Sequence, residues 1–131
     1  MLFRSGAVLR DATDIPVSPA RVEGFGLTVI EAGLAALPVV ATNYSAIPEL
    51  VDGRGELVKV LTTLTMGTNL VEQAIIDVDD LAECIEKLYL NPDLVRGYGQ
   101  AGREFAETLA WDNLMPKWLE VISLASGVEV V

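Results

Sequence analysis

From Glu23 to Thr42 the chain reads EGFGLTVIEAGLAALPVVAT, and its only ionisable residues are Glu23 and Glu31, with seven residues between them. A carboxylate only accepts hydrogen bonds and matches a pair of vicinal sugar hydroxyls. Gly24 and Gly26 leave the backbone uncovered, so a bulky anion can approach the amides closely. A helix beginning near Gly26 or Leu27 points its first free N–H groups into that loop, and such an end holds phosphate without side-chain cations. Glu31 lies roughly 6 Å further along the helix axis. Helical side chains lean toward the amino end, so its carboxylate reaches back to the loop. The spacing suits a sugar at Glu23, a pyrophosphate at the loop and a ribose at Glu31. Two plainer roles compete. Glu23 can serve as a helix-dipole partner, worth about 0.3–1 kcal/mol, and Glu31 can be the solvent-facing residue of its helix. Thr28 is the only other polar residue on that helix, so the solvent face is narrow. A carboxylate buried there without a donor is costly or driven neutral.

The elements that must carry these residues are readable from periodicity. A short helix is expected over 2–12, and DIPVSP (14–19) is an extended run in which Pro16 suits an edge strand. Residues 27–36 predict a helix apolar almost all round, hence buried on most sides. PVVAT (38–42) has the β-branched character of a fully buried strand. Strand, loop, helix and strand make a right-handed βαβ unit. DGRG (52–55) is a turn and ELVKV (56–60) a third strand, while the polar run TTLTMGTN (62–69) reads as a loop. A helix follows with Leu81, Cys84, Ile85 and Leu88 on one face and Asp80 with Glu83 as a capping box. Asn91 and Pro92 open another helix, which Gly97, Gly99 and Gly102 should loosen. A last helix, from Trp111 to about Ser126, is expected to turn Leu114, Trp118, Val121 and Ile122 inward.

Composition narrows the function classes. The chain has 131 residues and a net charge of −10 from 19 acidic and 9 basic side chains, which argues against nucleic acid and anionic membrane surfaces. Its hydrophobic content of 51% sits at the top of the ordinary range of about 45–50% and hints at a partner that covers apolar surface. There is no histidine to act as general base. The single cysteine, Cys84, suits a reducing cytoplasm. No signal peptide and no membrane span are expected.

Taken together, SPARVEGFGLTVIEAGLAALPVVATNYSAIPELVDGRGELV, with its E-x7-E spacing, P-V-V-A-T strand and following Pro48-Glu49, resembles the donor-binding half of the retaining GT-B glycosyltransferases, notably glycosyltransferase family 4. The resemblance is strong over about residues 9–60, and the tail from Asp79 resembles the family's C-terminal helices. It implies an α/β fold: a partial Rossmann-like parallel sheet, the second half of the GT-B C-terminal domain, followed by helices. On this view residues 1–131 are one partial domain, with a βαβ donor-binding core (1–60), a loop or insertion (61–79) and C-terminal helices (80–126). Glu23 matches the glutamate that contacts the donor sugar at the reacting end and is the candidate catalytic residue. Gly24, Phe25, Gly26 and Leu27 match the loop whose amides meet sugar and phosphate, and Glu31 matches the ribose-binding glutamate. The family transfers a hexosyl group from a nucleotide sugar with retention and generally without a bound metal, so no cofactor or metal site is expected.

Several positions depart from the family pattern. Ala36 stands where glycine usually ends the helix, and a non-glycine residue there costs roughly 1 kcal/mol. Ser45-Ala46 replaces a frequent glycine pair, Ala20 replaces a serine, and Pro16 replaces a strand hydrophobe. Residues 61–76 are longer than usual and can face substrate. The larger departure is what the chain lacks: the N-terminal acceptor domain and the upstream strands, whose basic residues normally neutralise the diphosphate. The chain is therefore expected to be a fragment or one part of a split enzyme, inactive alone. An open sheet edge at 15–18 is expected, blunted by Pro16. An assembly module derived from the half-domain is the alternative.

Overall fold

The computed structural model describes residues 13–127; the helix expected over 2–12 lies outside them. In chain order the elements are β1 (Val17–Ser18), α1 (Leu27–Leu34), β2 (Val39–Thr42), α2 (Ile47–Val51), β3 (Gly55–Val58), β4 (Val60–Met66), β5 (Val71–Ile76), α3 (Val78–Leu90), α4 (Pro92–Thr108) and α5 (Trp111–Ser126). Strands β1, β2 and β3 form a parallel sheet in sequential order, with Val17 opposite Val40 and Val39 opposite Gly55.

The central strand β2 is buried along its whole length because helices cover both faces. Val39 and Ala41 point toward Val29, Ile30 and Ala32 of α1, toward Ile47, Leu50 and Val51 of α2, and toward Ala106 of α4. Val40 points the other way and joins Val58 to Cys84 and Leu88 of α3. Each of these larger aliphatic side chains contributes on the order of 1.5–3 kcal/mol by leaving water. The amphipathic face expected on α3 is the one that packs. Its thiol is a core group: burial, then the charge of Asp80, raises the Cys84 pKa.

Several features differ from the sequence reading: beyond the unexpected short helix α2 and the break of the third strand at Lys59, four bear on packing. First, the cap of α3 is Asp77, whose carboxylate accepts from the amides of Asp79 and Asp80 at 3.1 and 3.3 Å. Asp80 is instead occupied by the amide of Lys59, at 2.6 Å. Second, the glycines of α4 do not interrupt it. A methyl group on Gly99 would stand 2.1 Å from the carbonyl oxygen of Ala36, and one on Gly33 would stand 2.8 Å from that of Gly102. Two of the three glycines are therefore where α4 meets the α1 region backbone to backbone.

Third, α5 has the expected bounds but no buried residue: Trp111 and Trp118 are 66% and 56% exposed, and Val121 and Ile122 are exposed as well. Its apolar stripe is present, and nothing among the described residues covers it. Fourth, residues 61–79 are not a loop. Most of the segment forms the antiparallel hairpin β4–β5, whose tip has a positive φ at Gly67 and Leu70. Threonines read as polar loop residues are here strand formers, since β-branched side chains fit a pleated surface.

The open edge expected at 15–18 is present, with Val17 exposed and no strand on the outer side of β1 among the described residues. Pro16 does not blunt it. The Val40 amide donates to the Pro16 carbonyl at 3.0 Å, so Pro16 faces inward and alternation turns the polar groups of Val17 toward the open side.

Candidate functional site

Three connections leave the carboxyl ends of the parallel strands: residues 19–26 after β1, residues 43–46 after β2, and the hairpin after β3. Ligand crevices in open α/β sheets lie outside this edge; of the sequence-predicted site residues, Glu23 to Gly26 lie in the first connection, and Leu27 and Glu31 lie on α1, which it opens. Glu23 is half-buried. Its carboxylate Oε1 accepts from the amide of Phe25 at 3.3 Å, which folds the side chain back over the loop. Its carbonyl accepts from the Ser45 hydroxyl at 2.7 Å and from the Ala46 amide at 3.4 Å. The second connection thereby fixes the first.

Gly26 is the residue on which the loop turns into α1. It is buried at φ +90°, and a methyl group there would meet Leu50 Cδ1 at 2.6 Å. Only glycine suits both the left-handed conformation and the space. Its carbonyl receives the amides of Val29 and Ile30 at 3.0 and 3.2 Å. No side chain caps α1, so the amides of Leu27 and Thr28, which have no intrahelical acceptor by position, face the loop. Gly24 is different, since a methyl group there would meet nothing within 4 Å. No described residue packs against that position, which leaves the backbone open to an approaching molecule.

Leu27, Thr28 and Glu31 share one stripe of α1, with Leu27 and Thr28 exposed and Glu31 half-buried. The other positions of α1 turn inward: Val29, Ile30, Ala32 and Gly33 are buried. Glu23, the Gly24–Leu27 backbone and Glu31 thus follow one another along the loop and the first turns of the helix it opens, with the bare helix start between the two glutamates in sequence. Phe25 is exposed beside them. Arg21 is not aimed at the helix start, because its guanidinium lies against the Met66 sulfur at 3.9 Å.

Some features of the rim were not read from sequence. Ser45 has a φ of +58° and, away from the rim at the far end of α1, Ala36 has a φ of +57°; both stand where the family pattern has glycine, which puts left-handed strain at these two positions. The hydroxyl that holds Glu23 belongs to the same Ser45. The hairpin also reaches the rim: the Ala74 amide donates to the Arg21 carbonyl at 2.8 Å. Near it, the Tyr44 pKa is raised by desolvation and then by the neighbouring Glu72 carboxylate. Among the described residues, the cavity lined by Val29, Gly33, Leu50, Phe105 and Ala106 is a packing gap between helices and is not part of this rim. No described helix is long and apolar enough to cross a membrane.

Known proteins resemble the chain over most of its length. The family described as Glycosyl transferases group 1 matches residues 6–105. The chain is 28% identical over 120 residues to an MMP alpha-(1->4)-mannosyltransferase of Mycolicibacterium hassiacum, covering 91% of this chain and 26% of that protein. It is 34% identical over 122 residues to an alpha-maltose-1-phosphate synthase of Mycolicibacterium smegmatis, covering 88% of this chain and 28% of the relative. Among solved structures, a sucrose-phosphate synthase from Thermosynechococcus elongatus superposes with a TM-score of 0.69 at 27% identity, over 92% of this chain and 28% of that one. The chain spans about a quarter of the length of the relatives it matches.

Proposed function

Since the chain belongs to the glycosyl transferases group 1 family, we propose that it is the nucleotide-sugar-binding portion of a glycosyltransferase that moves a hexosyl group with retention. The observation that carries this reading is the uncapped start of α1, turned by Gly26, left open at Gly24, and preceded by Glu23 and followed one turn on by Glu31. In it, the amides of the Gly24–Leu27 stretch hold the diphosphate, Glu31 accepts from the ribose hydroxyls and Glu23 orients the donor sugar. When the bond from the anomeric carbon to the diphosphate breaks, charge grows on the departing phosphate oxygen. Oriented amides at a helix start stabilise such charge without reorganising. The reading asks for no bound metal or cofactor. We assign the cytoplasm from the unpaired, buried Cys84.

This portion does not complete a reaction by itself. The acceptor site and the cations that neutralise the diphosphate are assigned to the remaining part of the enzyme, on the same or a complementary chain. The open β1 edge and the uncovered stripe of α5 favour a partner surface, and they also favour the second reading, a non-catalytic assembly module. Calorimetric titration of the chain with UDP, GDP and ADP separates the two. The donor reading expects saturable binding of one of them, whereas a folded chain that binds none of the three contradicts it.

A further inference from the structure

The hairpin has no part in the reading above, yet it is tied to the rim by the Ala74 amide. Its root is fixed first. The Asp77 amide donates to the Lys59 carbonyl at 2.8 Å, and the Lys59 amide donates to Asp80 Oδ2 at 2.6 Å, both at the first turn of α3. From that root β5 runs beside residues 20–22, and the buried Ala74 donates its amide to the Arg21 carbonyl at 2.8 Å. The register puts Thr63, Thr65, Glu72 and Ala74 on one face. On that face Glu72 accepts from the Thr63 hydroxyl at 2.5 Å, and its carboxylate lies near enough to Tyr44 to help raise the pKa of that hydroxyl. Tyr44 directly precedes Ser45 and Ala46, the two residues that hold the Glu23 carbonyl.

Without such ties the 19–26 connection would be loose. It has no regular secondary structure, contains two glycines, and exposes Arg21, Val22, Gly24 and Phe25. Segments with few buried contacts open at little cost, and a site held loosely loses its geometry. We propose that the β4–β5 hairpin is a positioning element for Glu23. It holds the Arg21–Glu23 arm through the Ala74 amide and sets the Thr63-bonded Glu72 carboxylate beside the Tyr44–Ala46 turn, so the Glu23 carboxylate sits at a fixed point on the rim. The meaning of that point rests on the donor-binding reading, while the clamp itself does not.

The test uses the full chain with Ala74→Pro, Glu72→Ala and Glu72→Gln. The Ala74 amide points away from β4, so proline removes the clamp bond and leaves the hairpin ladder intact. Glutamine at 72 keeps an acceptor oxygen and should rescue the alanine variant. Backbone order parameters of Val22–Leu27 are expected to fall from the rigid range near ~0.85 to below ~0.6 in the first two variants. Residues 39–42 and 84–88 should stay rigid, and Glu72→Gln should match the parent. An arm that stays rigid in both clamp variants, or one that loosens only together with the core, overturns the proposal. The variants and the parent are then titrated with UDP, GDP, ADP and the glucose conjugate of each. At least tenfold weaker binding of the preferred conjugate is expected for Ala74→Pro and Glu72→Ala and parent-like binding for Glu72→Gln, and unchanged binding by a loosened arm also overturns the positioning role. A parent that binds none of them overturns the donor reading, and the clamp is then judged by the order parameters.

Discussion

Two glycines of α4, two residues apart, should respond to the same substitution with opposite signs. At Gly97 a methyl group meets nothing within 4 Å, so Gly97→Ala gains only the helix propensity of alanine. That is worth about 0.5–1 kcal/mol. At Gly99 the methyl group would stand 2.1 Å from the Ala36 carbonyl oxygen, which is backbone and cannot rotate aside. Ala36 already has a φ of +57°, so it has little room to move. Overpacking of this kind costs typically about 1–3 kcal/mol, and α4 must lift away from the α1 region. With a urea slope of about 1.5 kcal/mol per molar, the Gly97→Ala midpoint should rise by roughly 0.3–0.7 M and the Gly99→Ala midpoint fall by roughly 0.7–2 M. Parallel urea titrations followed by far-ultraviolet circular dichroism read both. Equal signs, or a Gly99→Ala variant as stable as the parent, would refute the backbone contact between α4 and the end of α1.

Three further outcomes can be measured on the same scale. Ala36→Gly relieves a left-handed alanine and should stabilise by up to about 1 kcal/mol after the unfolded-state entropy of glycine is subtracted; a destabilised variant would show that the alanine conformation is not strained. Thr42 is buried at the end of β2 with no hydrogen-bond partner for its hydroxyl among the described residues, so Thr42→Val should raise stability by about 1 kcal/mol or more, and a loss would reveal a partner for the hydroxyl. Glu56 accepts from Lys87 at 2.7 Å and from Tyr98 at 3.0 Å. The hydrogen bond to Glu56 raises the Lys87 pKa from 10.5, and burial followed by the same carboxylate raises that of Tyr98 from 10.0. Both groups hold their protons more tightly folded than unfolded. Their contribution is complete below pH 10 and lost as pH rises through the folded values. The urea midpoint should therefore fall above pH 10, less so in Glu56→Gln, and an equal fall in both proteins would clear Glu56 of the role.

What was legible in the sequence is what is written locally. VVAT announces a buried strand through its side chains alone, and Glu23, the glycines and Glu31 lie within one loop and the helix it opens. The α3 face is readable because Leu81, Cys84 and Leu88 recur at helical spacing. Features made by distant parts of the chain were not legible. Gly99 and Gly102 resemble helix breakers until Ala36 and Gly33 are placed against them. The stripe on α5 was correct as a stripe, but periodicity gives a face and not its partner. Thr62, Thr63 and Thr65 read as polar when their branching was the stronger signal. The Ser45 and Ala74 contacts that hold the Glu23 arm span 22 and 53 positions of sequence, beyond the reach of any local pattern.

The most direct test of the central claim divides the two carboxylates. The parent, Glu31→Gln and Glu23→Gln are each titrated with the preferred nucleoside diphosphate and with its glucose conjugate. Glu31→Gln should weaken both ligands about tenfold, the worth of about 1.4 kcal/mol. Glu23→Gln should weaken the conjugate alone and leave the diphosphate unchanged. If the two variants weaken both ligands equally, or neither variant changes either affinity, the two glutamates do not grip opposite ends of one donor.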